Sequence, residues 1–136
     1  MASALQFKPQ IYARVDDEAT IILSYPKAEA IIQASWNWPF DRKDIEVYGQ
    51  SGYVITVKGD DIRVRRAAEA AEEKIAAKPV PAPYDSELTY FRAVILEGAK
   101  QDNLSSLETN VTVTEILDAA RRSAMEGRTI QLPASR

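Results

Sequence analysis

The residues best suited to bind a ligand lie in one short stretch at the end of a predicted strand. Trp36 and Trp38, the two tryptophans of the chain, are spaced so that both rings lie on one strand face. A proline then turns the chain into a loop that carries Arg42 and Lys43. Aromatic rings stack on the apolar faces of sugar-like rings, whereas Arg and Lys hold oxygens. The stretch therefore predicts a substrate pocket lined by Trp38, Arg42 and Lys43, with Trp36 behind them.

The same aromatic residues also fit a purely structural role. In that interpretation Trp36 belongs to the core, and Trp38 packs at its rim or in a dimer interface. A second polar cluster, formed by Asp16, Asp17 and Glu18, presents a similar choice. Adjacent carboxylates can chelate Ca²⁺ or Mg²⁺, but the ligand spacing of a calcium-binding loop is missing here. The spacing therefore favours a solvated turn.

Composition excludes several kinds of chemistry. The 136 residues contain neither Cys nor His, so thiolate nucleophiles, disulfides and the commonest general base and metal ligand are absent. The sequence has no glycine-rich phosphate-binding loop and no nucleophile elbow. We therefore expect no catalytic, cofactor-binding or metal-binding residue in this chain, and we expect the chain by itself to be inactive.

Charge and hydropathy narrow the choice of partners. A net charge of −3 makes the chain a poor match for nucleic acids and anionic membranes. The first residues lack the pattern of a signal peptide, and no apolar run approaches the ~20 residues that span a bilayer. The sequence therefore predicts a cytoplasmic protein with a small-molecule partner, and with neither nucleic-acid nor membrane partners.

The first half of the chain shows the alternation of apolar and polar residues that is typical of β-strands. Short turns join these segments, which favours a mainly antiparallel sheet. A last strand is predicted near the C-terminus. The predicted strands are residues 11–15, 19–25, 30–38, 43–48, 53–57, 62–65 and 128–132.

The second half of the chain begins with a segment that is hard to assign. Residues Ala67 to Ala77 are rich in Ala and Glu, and they are interpreted as a short exposed helix or a mobile arm. The prolines that follow, up to Pro83, form an extended connector. A helix is then predicted over 86–97. The face expected to be buried contains Leu88, Phe91 and Ile95.

The last predicted helix runs from a capping box at Ser105 and Glu108 to about Met125, with Gly127 as the C-cap residue. Its expected buried face contains Leu107, Val111, Leu117, Ala120 and Ala124. Strands followed by helices predict an α+β fold. We expect a single domain over 1–136, in which helices cover one face of an open sheet and the other face is free for dimerisation.

Several segments, taken in their order, carry a further signal. They are VDDEATI at 15–21, YPKA at 25–28, ASWNWP at 34–39, DIEVYGQSG at 44–52, SSLETN at 105–110, EILDAA at 115–120, SA at 123–124 and GRTI at 127–130. This series resembles the C-terminal domain of the Gfo/Idh/MocA oxidoreductases, the glucose–fructose oxidoreductase and inositol dehydrogenase group. The resemblance covers nearly the whole chain, and it depends on the order of the segments rather than on one diagnostic motif.

The resemblance implies a substrate-binding and oligomerisation domain that follows an N-terminal Rossmann domain with bound NAD or NADP. It implies sugars, cyclitols or related CH–OH compounds as substrates, and a homodimer or higher oligomer formed through the open sheet face. The family's G-x-G-x-x-G loop and its E-K-P segment have no counterpart here, so Lys43 does not correspond to the family's catalytic Lys. The chain is therefore interpreted as a piece of such an enzyme. The alternative is a standalone, non-enzymatic module that dimerises or binds a ligand.

Overall fold

The computed structural model describes residues 1–58, 61–101 and 105–133, and the chain divides into two compact units. The first unit comprises Met1–Trp38 and Lys100–Arg136, and the second comprises Pro39–Ala99. The single domain over 1–136 stays a prediction. In chain order the elements are β1 (Ala2–Leu5), β2 (Glu18–Tyr25), β3 (Ala28–Ser35), β4 (Ile45–Tyr48), β5 (Tyr53–Val57), β6 (Asp61–Arg65), β7 (Glu73–Ala76), α1 (Glu87–Glu97) and α2 (Leu107–Glu126).

The first unit contains a three-stranded antiparallel sheet in the order β1-β2-β3. Strand alternation places Ala19, Ile21 and Leu23 on one face, where Ile21 pairs with Ile32 of β3. Strand β3 ends at Ser35, three residues earlier than predicted, so both tryptophans lie beyond the hydrogen-bonded ladder. Strand β1 was not predicted, because two alanines, a serine and a single leucine carry little strand signal.

Helix α2 packs against β1 through small side chains. The backbone amide of Ala2 donates a hydrogen bond to Oγ of Ser123 over 2.9 Å, and both Ser123 and Ala119 are buried. The large apolar residues of the predicted buried face are exposed instead; they are Leu107, Val111 and Leu117. The predicted face is therefore wrong for its three large residues, whereas its two alanines, Ala120 and Ala124, are half-buried. Close approach of a helix to a strand requires small residues at the contact, and residue size outweighs the periodicity of the large ones.

The ends of α2 follow local chemistry. Ser106 caps the N-terminus, because its hydroxyl accepts a hydrogen bond from the Thr109 amide over 3.2 Å. The predicted cap at Ser105 is thus one residue too early. Gly127 ends the helix in the left-handed region, with a φ of 64°, and its amide donates to the carbonyl of Ser123.

The second unit contains a four-stranded antiparallel meander in the order β4-β5-β6-β7. One face carries mainly aliphatic residues, which include Ile45, Val47, Val54, Val64 and Ile75. Val64 on the inner strand β6 is buried, whereas Ile45 and Val47 on the edge strand β4 are 64% and 58% exposed. The opposite face carries aromatic and charged residues together with Ile55 and Val57.

That opposite face is held by contacts between neighbouring strands. The Tyr53 hydroxyl donates to Glu72 over 2.7 Å, and the ring of Tyr53 lies 5.9 Å from that of Tyr48. The guanidinium of Arg65 lies over the Tyr53 ring, 5.8 Å from its centroid. Cross-strand pairs of this kind stabilise a sheet face that faces water.

Strand β7 corrects the interpretation of the segment from Ala67 to Ala77. Residues 67–70 form a turn, and Glu73–Ala76 pairs with β6, where Ile75 lies opposite Ile62. The segment is therefore neither a helix nor a mobile arm. Ala and Glu favour a helix locally, but the hydrogen bonds offered by the edge of β6 outweigh that preference.

Helix α1 begins one residue later than predicted and ends where predicted, but it does not have the predicted burial. Ser86 accepts from the Thr89 amide over 3.2 Å, and Gly98 ends the helix with a φ of 69°. Tyr90 and Ala93 are buried, and the Tyr90 ring stacks on Tyr84 at 5.6 Å. The predicted buried face is exposed, at 81% for Leu88, 62% for Phe91 and 60% for Ile95.

The predicted α+β fold class is confirmed, with two open antiparallel sheets in place of one. Two predicted strands are wrong. Residues 11–15 form turns, because the amides of Ile11 and Tyr12 both donate to the carbonyl of Lys8. Within the described part of 128–132 there is no strand, and the carbonyl of Arg128 instead accepts from the Ser123 hydroxyl. None of the described helices is long and apolar enough to cross a membrane.

Candidate ligand-binding site

A pair of aromatic residues, the exposed Trp36 and the half-buried Tyr12, is the main feature of the first unit outside its sheet. Trp36 follows the last residue of β3, and Tyr12 lies in the long loop between β1 and β2. Their rings meet edge to face, with centroids 5.2 Å apart and planes inclined by 68°. Trp36 remains 62% exposed, so it is not a core residue. We call these two residues the aromatic pair.

The loop that carries Tyr12 is closed by the side chain of Asp17. One carboxylate oxygen accepts from the Phe7 amide over 2.8 Å, and the other accepts from the Lys8 amide over 2.7 Å. Gln6 adds a bond from Nε2 to the carbonyl of Val15 at 3.2 Å, and a second to that of Tyr12. These bonds tie the start of the loop to its end.

Asp17 also connects the loop to the tryptophan. Its backbone carbonyl accepts from the Trp36 amide over 2.9 Å, and its own amide donates to the carbonyl of Leu5 over 3.0 Å. The residue is only 2% exposed. Burial raises the pKa of the Asp17 carboxyl, but the Phe7 and Lys8 amides outweigh burial and hold the pKa below 3.8. The side chain is therefore a carboxylate at neutral pH.

Glu18 fixes the chain on the other side of Trp36. Its Oε1 atom accepts from the Ser35 hydroxyl over 2.5 Å and from Nδ2 of Asn37 over 3.0 Å. The Asn37 amide donates in turn to the Ser35 hydroxyl over 2.9 Å. Oδ1 of Asn37 is buried and has no hydrogen-bond partner. Residues 35–37 are thus held in one backbone conformation, which presents the Trp36 ring to solvent.

These contacts change the interpretation of the acidic cluster. The solvated turn predicted for Asp16, Asp17 and Glu18 is wrong for Asp17, which is buried and bound to backbone amides. The cluster instead organises the loop and the exit from β3. Within the described ranges, no group of three acidic side chains is placed to hold a metal ion.

The four predicted site residues are divided between the two units. Trp36 and Trp38 belong to the first, where Trp38 is 38% exposed. Arg42 and Lys43 belong to the second. Arg42 pairs with Asp44, with 2.5 Å between its Nε and a carboxylate oxygen, and Lys43 is exposed. A pocket that combines all four residues stays a prediction.

Asp44 has the same role in its loop that Asp17 has in the first unit. Its second carboxylate oxygen accepts from the Lys58 amide over 3.2 Å. The Arg42 guanidinium, with help from that amide, holds the pKa of Asp44 below 3.8. Arg42 is therefore already engaged in a partly exposed ion pair, and a ligand anion would compete with Asp44 for it.

Two residues of the site were not identified from the sequence. Tyr12 lies in a segment assigned to a strand, and Asp17 lies in a cluster assigned to solvent. Nothing near Asp17 in the sequence predicts its burial, because the Phe7 and Lys8 amides that it binds lie ten and nine positions earlier in the chain. No local signal pairs Tyr12 with Trp36, because 24 positions separate them and only the loop closure brings them together.

A separate shallow depression of about 280 Å³ lies on α2, and it includes none of the predicted site residues. Its lining residues are Leu107, Asn110, Val111, Thr114 and Glu115. Its surface is almost entirely apolar, so it offers little means of orienting a polar ligand. The aromatic pair therefore remains the better candidate for a binding site.

Comparison with solved structures identifies proteins of the same fold. The chain is similar to the "putative oxidoreductase" yvaA of Bacillus subtilis, with a TM-score of 0.71 and 21% sequence identity. It is also similar to a "putative oxidoreductase" of Klebsiella pneumoniae, with a TM-score of 0.68 and 18% identity. Each match covers 98% of this chain but only 44% and 43% of the respective neighbour. The chain thus corresponds to less than half of either protein.

No protein-family model matches the sequence, and no curated protein matches it. At these identities the structural likeness establishes the fold alone. The neighbours are larger proteins described as oxidoreductases, and the part they share with this chain is an α+β unit with open sheets.

Proposed function

We propose that this chain is the C-terminal, substrate-binding and oligomerisation domain of an NAD(P)-dependent oxidoreductase of the Gfo/Idh/MocA type. The observation that carries the proposal is the match of 98% of the chain to 44% of a protein described as an oxidoreductase. The order of motifs in the sequence supports the same family. The enzyme would act on a CH–OH group of a sugar, a cyclitol or a related compound.

The cofactor would be bound by another part of such an enzyme, because the residues of this chain do not fit a dinucleotide. A pyrophosphate is usually held by free amides at a glycine-rich helix N-terminus. Here the amides of Thr89 and Thr109 are already bound by the capping hydroxyls of Ser86 and Ser106. We derive no hydride-transfer step from this chain.

The role assigned to this chain is to hold the substrate ring. An exposed Trp36 ring, braced by the edge-to-face contact with Tyr12, offers a flat apolar surface to the C–H face of a sugar or cyclitol. Because backbone hydrogen bonds fix the residues on both sides of Trp36, little side-chain and loop entropy is lost on binding. Trp38, Arg42 and Lys43 are proposed to complete the pocket.

Ligand-detected NMR on this chain tests the binding role directly. We expect saturation transfer to D-glucose and myo-inositol at millimolar concentration, and none to NADH. Trp36→Ala should abolish the transfer. The control is Phe91→Ala, which removes an aromatic ring of the same 62% exposure from helix α1 and should leave the transfer unchanged. Saturation transfer to NADH, or equal transfer in both variants, would contradict the proposal.

The oligomerisation role has its own support in the second unit. The aliphatic sheet face leaves Ile45 and Val47 more than half exposed on the edge strand β4. Apolar residues grouped on an open sheet face are typical of a protein interface. We therefore propose that this face forms a homodimer, either within such an enzyme or in a standalone module.

Sedimentation velocity tests the dimer. The wild-type chain should sediment as a dimer, and Val47→Glu should shift it to a monomer because the new charge would be buried at the interface. Tyr48→Glu places the same charge on the opposite sheet face and should leave the dimer intact. A monomeric wild type, or dissociation by both substitutions, would contradict the proposed interface.

A further inference from the structure

We infer that Asp17 is the positioning residue of the candidate site: it sets the geometry of the Tyr12–Trp36 pair by holding both sides of it. The carboxylate holds the loop that carries Tyr12, through the amides of Phe7 and Lys8. The backbone carbonyl of the same residue holds the Trp36 amide. The inference rests on the proposed function, because the pair is the surface that would bind the substrate ring.

The chemistry of the contact requires a carboxylate. Two amide donors, from Phe7 and Lys8, point at two separate oxygens of Asp17, at 2.8 Å and 2.7 Å. An asparagine has one acceptor oxygen, and its NH₂ group would face the second amide donor. Asp17→Asn therefore breaks one of the two hydrogen bonds and places its NH₂ group against a backbone N–H donor. The size and shape of the side chain stay nearly unchanged.

The sheet itself does not depend on this contact. Strand β1 pairs with β2 through its own ladder from Ala2 to Leu5, and Ala2 also bonds to Ser123 of α2. The residues that Asp17 holds, Phe7 and Lys8, lie beyond the end of that ladder. Loss of the carboxylate should release the loop and displace Tyr12 while the strand register is retained.

The neighbouring carboxylates, Asp16 and Glu18, serve as controls for the positioning role of Asp17. Asp16 is exposed and lies one residue away, so Asp16→Asn removes the same charge without touching the loop amides. Glu18 holds Ser35 and Asn37 but makes no bond to the loop of Tyr12. Only the substitution at Asp17 should change the loop and the Trp36 environment together.

The first experiment measures the protection of the loop amides and the exposure of Trp36 without any ligand. Amide exchange of Phe7 and Lys8 is followed by NMR in wild type, Asp17→Asn and Asp16→Asn. Trp36 is followed by acrylamide quenching in a Trp38→Phe background. In Asp17→Asn we expect at least one of the two loop amides to exchange about tenfold faster, as one lost hydrogen bond implies, and Trp36 quenching to change. The amides of Ile21 and Ile32 should be unaffected, and Asp16→Asn should behave as wild type.

The second experiment measures the affinity for a ligand. The affinity for myo-inositol should fall about fivefold or more in Asp17→Asn and stay unchanged in Asp16→Asn. Tyr12→Leu removes the ring but leaves the carboxylate contacts, so it should weaken inositol binding without faster exchange of Phe7 and Lys8. This variant separates loss of the ring from loss of the loop.

Failure of the inference differs from failure of the proposed function. If wild type binds no polyol, the proposed ligand is wrong, and the exchange and quenching data alone decide the role of Asp17. If Asp17→Asn leaves amide exchange and Trp36 quenching unchanged, the positioning role is overturned whatever the ligand does. Exchange that accelerates in β1 and β2 as much as at Phe7 and Lys8 would also overturn it, since Asp17 would then stabilise the whole unit rather than position the pair.

Discussion

Two carboxylates fix two loops of this protein by different physical means. Asp17, in the first unit, is 2% exposed and binds two backbone amides of the loop before it. Asp44, in the second unit, binds the Lys58 amide and the guanidinium of Arg42, which is half exposed. Both carboxyl groups have a lowered pKa, the first through neutral amide dipoles that outweigh its burial and the second chiefly through the hydrogen bond from the Arg42 guanidinium.

The difference shows what each contact can be used for. A buried carboxylate bound to backbone amides is insensitive to salt and cannot be withdrawn without leaving two donors unpaired. A partly exposed ion pair contributes little stability and can exchange its partner. The first arrangement suits a fixed aromatic surface, and the second suits a cation that a ligand could take over.

The largest effect on stability is expected from truncating the two carboxylate side chains, Asp17 and Asp44, one at a time. Asp17→Ala leaves the partly buried Phe7 and Lys8 amides without their two carboxylate acceptors, so the melting temperature should fall. Asp44→Ala should lower it much less, because the groups it leaves behind can bind water. Differential scanning calorimetry compares the two variants, and an equal loss in both would remove the distinction between the loops.

In the second unit, the substitution expected to lower stability most is at a glycine that lies close to the backbone of a neighbouring strand. A Cβ atom added at Gly52 would overlap the carbonyl oxygen of Arg65, so Gly52→Ala should cost about 1–3 kcal/mol through overpacking. At Gly49 an added Cβ would lie 3.6 Å from the nearest atom, an ordinary contact. Urea unfolding should therefore separate Gly52→Ala from Gly49→Ala, and similar midpoints would contradict the close approach.

Acid should protonate both carboxyl groups, Asp17 and Asp44, and so weaken the contacts that hold the two loops. Each carboxyl has a folded-state pKa below 3.8, whereas an unfolded Asp titrates near ~3.9, so the stability it contributes is fully present above the unfolded pKa. That contribution is lost as the pH falls through the lowered folded-state values. Acid titration followed by fluorescence should therefore show an unfolding step below about pH 4. Asp17→Asn should reduce this step more than Asp44→Asn does.

The smallest and most specific effect is the response of the two carboxyl groups to salt. At about 1 M salt the Debye length is about 3 Å, which partly screens the partly exposed Arg42–Asp44 pair. NMR titration of the carboxyl carbons should show the pKa of Asp44 rising toward 3.8 while that of Asp17 stays in place. A comparable rise for Asp17 would mean that a charge, rather than amide dipoles, lowers its pKa.

Much of the fold could be predicted because its signals are local. Strand alternation predicted β2 to within one residue and β5 to the residue, and Gly127 correctly marked the C-terminal end of α2. In each case the physical cause lies within a few residues of the position concerned. Helix caps and strand faces are of this kind.

The errors have the opposite character. Strand β7 forms in an Ala- and Glu-rich segment because it pairs with β6 through hydrogen bonds. The residues of the segment alone do not indicate that pairing. Periodicity correctly grouped Leu88, Phe91 and Ile95 on one face of α1 but could not show which face is buried. Burial depends on what lies opposite a side chain, which the periodicity of one helix does not contain.

The sequence by itself determined the α+β class, most of the strands, both helices and the exclusion of thiol and imidazole chemistry. The tertiary structure decided that Asp17 is buried rather than solvated, and that Tyr12 meets Trp36 across 24 positions of chain. The physical reason is that turns and caps depend on neighbouring residues, whereas a buried carboxylate needs donors that only chain closure supplies. The candidate site belongs to the second class, since the residue types suggested it and the folded loop completed it.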